Sequence, residues 1–134
     1  MHERKREVET EHAWLECTGR LVVQRWKPGI ALDARTIRET MRVRDEFFGD
    51  EPYVMIVVVP SGCEFSMTFL EQDQYAHTHA DEAIIAMANV VEDADMRAIV
   101  SLYYAQHPPR YAFTVVASMP LALAWARPYV EGGK

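Results

Sequence analysis

A chain of 134 residues, with 20 acidic and 14 basic side chains, a net charge of −6 and 49% hydrophobic residues, is sized and composed for one globular domain around one core. The negative sign disfavours a broad electrostatic grip on nucleic acid or on an anionic membrane surface, because both require a positive one. The longest apolar run, Val54 to Pro60, is too short to cross a bilayer. The charged start, Met1-His-Glu-Arg-Lys-Arg-Glu7, lacks the apolar stretch of a secretory signal, so a cytoplasmic protein is expected. Cys17 and Cys63 match no metal-ligand spacing and read as free thiols.

Residues 1–11 are mostly charged and read as a solvated tail, with the domain over 12–130 and a short tail over 131–134. Ala13 to Cys17 and Leu21 to Trp26 flank Thr18-Gly19-Arg20, the pattern of a β-hairpin whose glycine relieves the turn. Lys27-Pro28-Gly29 ends the second strand. Asp33 is placed to cap a helix with Ala34, Ile37, Met41 and Phe48 on one face. Thr36 with Glu39 offers an alternative capping box, and Gly49 supplies the stop. Arg35, Arg38, Arg42 and Arg44, interleaved with Glu39, Asp45 and Glu46, read as a mixed-charge solvated helix face.

Tyr53 to Val59 has no polar alternation, which suits a central strand covered on both faces. After Pro60-Ser61-Gly62, the spacing of Met67, Leu70, Gln74 and His77 predicts a helix from Ser66 to about Ala80. Ala83 to Val91 reads as another buried strand, and Asp93 or Asp95 caps a helix with Met96, Ile99, Val100 and Tyr103 inward. Pro108-Pro109 terminates it. Tyr111 to Ala117 is the last strand, and a final helix from Ser118 carries Leu121, Ala124 and Trp125. Tyr103, Tyr104, Tyr111 and Trp125 are expected to cluster where the last two helices meet. The order β-β-α-β-α-β-α-β-α predicts an α/β domain with a mixed five-stranded sheet and about four helices.

The run Thr18-Gly-Arg-Leu-Val-Val-Gln-Arg-Trp-Lys-Pro-Gly29, the helix capped at Asp33 and the ending resemble a known group. The ending comprises Arg97-Ala-Ile-Val-Ser-Leu-Tyr-Tyr104, Pro109-Arg-Tyr-Ala-Phe-Thr-Val-Val116 and Ala122-Leu-Ala-Trp125. The group is the uncharacterised bacterial SpoIIAA-like family, related in fold to the STAS domains of anti-sigma-factor antagonists, and the likeness spans about Glu16 to Ala126. It implies a non-enzymatic regulatory or scaffolding module. In STAS antagonists a serine or threonine opening the helix after the central strand is phosphorylated by a partner kinase, and the added charge abolishes binding. Ser66 stands nearest that position, with Thr68 and Ser61 behind it. The antagonists' Asp-Ser-Ser-Gly pattern is missing, since no aspartate precedes Ser66 and no glycine follows it, and a serine there also serves as an N-cap.

Two other chemistries are written into the chain. His77, His79 and Asp81 would share one face of an extended segment, where imidazole and carboxylate suit zinc, although a solvated helix end accounts for them too. Met41, Met55, Met67, Met87, Met96 and Met119 could line an adaptable pocket for an apolar or lipid-like ligand, or simply fill a core. His107-Pro-Pro-Arg110 reads as a rigid turn. No nucleophile elbow or phosphate-cradling loop is present, so no cofactor is expected. A homodimer is the expected assembly, because isologous pairing is the commonest way for such a domain to bury surface.

Overall fold

The computed structural model describes residues 5–48, 51–65 and 83–132. Strands β2 (Ala13–Thr18) and β3 (Leu21–Trp26) form the expected hairpin, and Gly19 takes the positive φ of 60° that its tight turn needs. Ahead of them, β1 (Lys5–Glu9) pairs antiparallel with β2. This corrects the solvated tail expected there. An edge strand needs little apolar surface: Val8 packs on the core, while Lys5 pairs with Glu16 at 2.9 Å and Glu9 with Lys27 at 2.6 Å across the ladder.

The rest alternates. Strand β4 (Ala31–Leu32) leads into α1 (Ala34–Phe48), followed by β5 (Tyr53–Val59) and β6 (Glu64–Phe65). Next come β7 (Ile84–Val91), α2 (Ala94–Gln106), β8 (Ala112–Val116) and α3 (Met119–Gly132). Among the described residues the main sheet has six strands rather than five, in the order β1-β2-β3-β5-β7-β8, with β3, β5, β7 and β8 parallel. β4 and β6 form a separate two-residue parallel ladder. The helix expected from Ser66 to about Ala80 lies outside the described residues.

Both faces of the central strands are covered. On one, Ile37 and Met41 of α1 and Met96, Val100 and Tyr103 of α2 pack with Leu15, Met55, Val57, Met87 and Val91. On the other, Ala122 and Ala126 of α3 lie against Val54, Ile56, Ala86 and Ala88. Alanine on both sides lets the helix backbone approach the sheet closely, so a larger side chain at Ala122 would overpack it. The inward stripe of α3 is therefore Ala122 and Ala126, both essentially buried, whereas Leu121 is 55% exposed. Leucine is the more hydrophobic residue, but it does not fit the close contact. Trp125 packs on this same face beside Tyr129, with ring centroids 4.9 Å apart. The sheet thus separates Trp125 from Tyr103, Tyr104 and Tyr111, which the sequence had placed in one cluster.

Asp33 caps α1, accepting the Thr36 N–H at 2.8 Å. Glu39 pairs with Arg35 at 2.9 Å instead of completing a capping box. The Thr36 hydrogen bond holds the Asp33 carboxyl below the usual carboxylate range. With the folded pKa depressed, the cap stabilises above the unfolded carboxylate pKa, and that contribution is lost as pH falls through the folded value. Asp33→Ala is expected to lower stability by about 1 kcal/mol at neutral pH. In urea titrations the gap to wild type should narrow once the pH drops below about 4.

Candidate functional site

The face under α1 and α2 is held by two buried polar groups. Gln24 on β3 and Asn89 on β7 stand in one row across the sheet, either side of Val57, and Met55 and Met87 stand side by side in the next. From α1, Arg44 Nη1 donates to Gln24 Oε1 at 2.9 Å and to Met55 Sδ at 3.2 Å. From α2, the Tyr104 hydroxyl accepts from Asn89 Nδ2 at 3.2 Å and donates to Met87 Sδ at 3.1 Å. Each helix is registered on the sheet by one amide and one thioether.

Arg44 is 1% exposed, which corrects its expected place on the solvated cationic face. It lies three residues after Met41 and seven after Ile37, so it continues their inward stripe. That spacing was available in the sequence but was outweighed by charge. Its guanidinium carbon is 5.8 Å from the Tyr53 ring centroid, while Nε and Nη2 are buried without a hydrogen-bond partner among the described residues. Burial pushes the Tyr53 phenol up in pKa, and the Arg44 charge opposes it. Since Arg44 depends on so few acceptors, removing Gln24 Oε1 should cost more than removing the pair. Gln24→Leu is expected to lose about 2 kcal/mol, and adding Arg44→Met should recover most of it. Denaturant titration of both singles and the double closes the cycle.

At the carboxyl ends of β3 and β5, where ligands commonly sit in open α/β sheets, the β4–β6 ladder ties two loops together. Glu64 N donates to Ile30 O at 3.1 Å, and Cys63 Sγ donates to Lys27 O at 3.6 Å. Burial pushes the Cys63 thiol up, so it is a poor nucleophile near neutral pH. Cys17 is likewise free and buried. Ser61 is exposed in the turn where Gly62 takes a φ of 93°. Nearby, Glu11, His12, Asp33, Arg35, Thr36 and Glu39 line an open polar groove of about 220 Å3. Ser66, Thr68, His77, His79 and Asp81 all lie outside the described residues. Among the described residues, no three His, Cys, Asp or Glu side chains come together as a metal site.

Of the methionines, Met41, Met55, Met87 and Met96 are core residues. A groove of about 240 Å3 runs along the flank of α3, lined by Leu21, Leu123, Ala126, Arg127, Val130 and Glu131. Of the exposed large apolar residues among the described residues, Leu102 stands on α2, Phe113 on β8, and Leu121 and Leu123 on α3, with Trp14 on β2 and Phe47 on α1 elsewhere. Phe113 was not singled out from the sequence. It is 39% exposed and its ring stacks on Tyr104 at 4.6 Å between centroids. Among the described residues β8 ends the sheet, as β1 does at the other side, but the two edges differ chemically. β1 reads Lys-Arg-Glu-Val-Glu and β8 reads Ala-Phe-Thr-Val-Val. Charged edges resist pairing and apolar ones invite it.

No helix of the described residues is long and apolar enough to cross a membrane. No family model matches the sequence, and no curated protein matches it. The three-dimensional structure is similar to the crystal structure of an uncharacterised DUF3478-family protein from Shewanella loihica PV-4. The TM-score is 0.53 at 8% identity, over 93% of this chain and 94% of that one. At that identity the likeness carries the fold alone: the chain has the mixed α/β, SpoIIAA-like fold.

Proposed function

We propose that this chain is a non-enzymatic contact module of the STAS-like kind, a regulatory or scaffolding domain that works by binding protein. The observation that carries this reading is that four of the exposed large apolar side chains, Leu102, Phe113, Leu121 and Leu123, stand on β8 and the two helices that contact it, β8 being an uncharged edge among the described residues. Exposed apolar residues gathered on adjoining elements mark interaction surfaces more often than scattered ones do. Affinity capture from host extract tests it with wild type, Phe113→Asp and Leu121→Asp. A specific partner held by wild type and reduced at least about tenfold by either substitution is expected. Equal recovery with all three proteins would overturn the reading.

Regulation of that contact by phosphorylation belongs to the same proposal. Ser66 directly follows the last residue of β6 in sequence, and Thr68 and Ser61 are the alternative acceptors. A phosphoryl group adds charge of about −1.5 to −2 at neutral pH, enough to oppose docking beside an acidic chain. Ser66→Asp is expected to weaken partner binding, and Ser66→Ala to leave binding unchanged and the fold intact. Equal binding by both variants would remove Ser66 from the mechanism.

A second reading, binding of an apolar or lipid-like ligand, draws on the apolar floor of the α3 groove with Arg127 at its rim. At about 240 Å3 that groove is open and smaller than most small-molecule sites. Retention of a lipid in native mass spectrometry, lost on Leu123→Asp, would favour this reading over protein contact.

A further inference from the structure

We propose that β8 pairs antiparallel with β8 of a second copy of this chain, about a two-fold axis at Thr114. This rests on the contact-module reading and names its first partner. The backbone supplies the register. Asn89 Nδ2 donates to the Thr114 carbonyl at 3.3 Å, and Ala88 and Asn89 of β7 stand opposite Thr114 and Val115, so the Thr114 carbonyl turns toward β7. Carbonyl and N–H directions alternate along a strand. The N–H and C=O groups of Phe113 and Val115 therefore turn outward, past the last strand of the sheet among the described residues.

A two-fold at Thr114 sets Phe113 opposite the second copy's residue 115 and Val115 opposite its residue 113. Each such pair exchanges two backbone hydrogen bonds. The side chains match as well. Phe113 meets valine on the α2 face, Ala112 meets valine at position 116 on the α3 face, and no charge enters the strand pair. Phe113, already stacked on Tyr104, would exchange solvent for the aliphatic residue facing it. The alternative partner edge is β1, where the same apolar side chains would face Lys5, Arg6, Glu7 and Glu9. That mismatch disfavours open head-to-tail stacking of sheets and leaves the closed, isologous pair.

The full-length protein tests this by light scattering across a concentration series together with site-directed crosslinking. A particle of twice the 15.4 kDa chain mass is expected. Phe113→Lys enters the interface twice and should raise the dimer dissociation constant by on the order of tenfold or more. Unchanged circular dichroism in that variant would show that the fold is retained. Residue 114 faces its own copy at roughly 4.5 Å between Cα atoms, within disulfide range, so Thr114→Cys should form a covalent dimer under mild oxidation. Ala112→Cys should not, because its counterpart lies about four residues further along, roughly 13 Å away. A monomer at high concentration would overturn the pairing, as would a dimer indifferent to Phe113→Lys or one that crosslinks at 112 and not at 114. If a monomer still captured another protein through Phe113 or Leu121, self-pairing alone would have failed and the contact-module reading would stand.

Discussion

Two strands without polar alternation, Tyr53–Val59 and Ile84–Val91, impose the constraint from which the architecture follows. A strand apolar on both faces is stable only when both faces are removed from water. The chain must therefore lay helices on each side of β5 and β7, with β3 and β8 as their lateral neighbours. Parallel pairing with crossovers on one face puts α1 and α2 together, and α3 then has to close the other. With alanine at its two fully buried positions, against alanine on β7, α3 sits close to the sheet and leaves Leu121 and Leu123 exposed.

Apolar burial alone does not register a helix on a sheet, since such contacts are non-directional. Arg44 and Tyr104 supply direction. Each reaches one amide, Gln24 or Asn89, and one methionine sulfur, Met55 or Met87, in adjacent rows of the same face. The two sets differ in character. Tyr104 and Asn89 form a neutral network, with Asn89 also bonded to the β8 backbone. Arg44 brings a buried charge whose other nitrogens lack hydrogen-bond partners among the described residues. Burying an incompletely satisfied cation carries a desolvation cost, so Arg44 is weak evidence for stability.

The two edges of the sheet face opposite risks. β1 is short, charged and ion-paired to its neighbours, a pattern that discourages further pairing. β8 is uncharged, and its position is stiffened by the Asn89 bond and the Tyr104–Phe113 stack. An apolar edge held rigid by the core beneath it is suited to recognition, because little conformational entropy remains to be lost on docking. The proposed contact surface would in this sense extend the packing that builds the domain.

Much of this was legible in the sequence, for local reasons. The hairpin at Gly19, the cap at Asp33, a cap at Asp93 or Asp95 (Asp93 in the structure) and the uninterrupted strand Tyr53–Val59 depend on turn chemistry, capping and periodicity, all of which act over a few residues. β1 was hidden because an edge strand buries only Val8 and its charges resemble those of a solvated tail. Arg44 was hidden because charge suggested solvent while spacing placed it inward, and only the facing Gln24 and Met55 decide between them. Leu121 was misassigned because a helix's buried stripe is set by how closely the sheet lets it approach, a property of Ala86 and Ala88 more than thirty residues earlier. Trp125 was grouped with the tyrosines because the face on which α3 packs is a tertiary matter. Sequence by itself determined the fold class and the elements with a clear hydrophobic period, since these follow from that period and from backbone sterics. Tertiary structure alone decided which edge stays apolar and which polar side chains go inside, because both depend on partners distant along the chain.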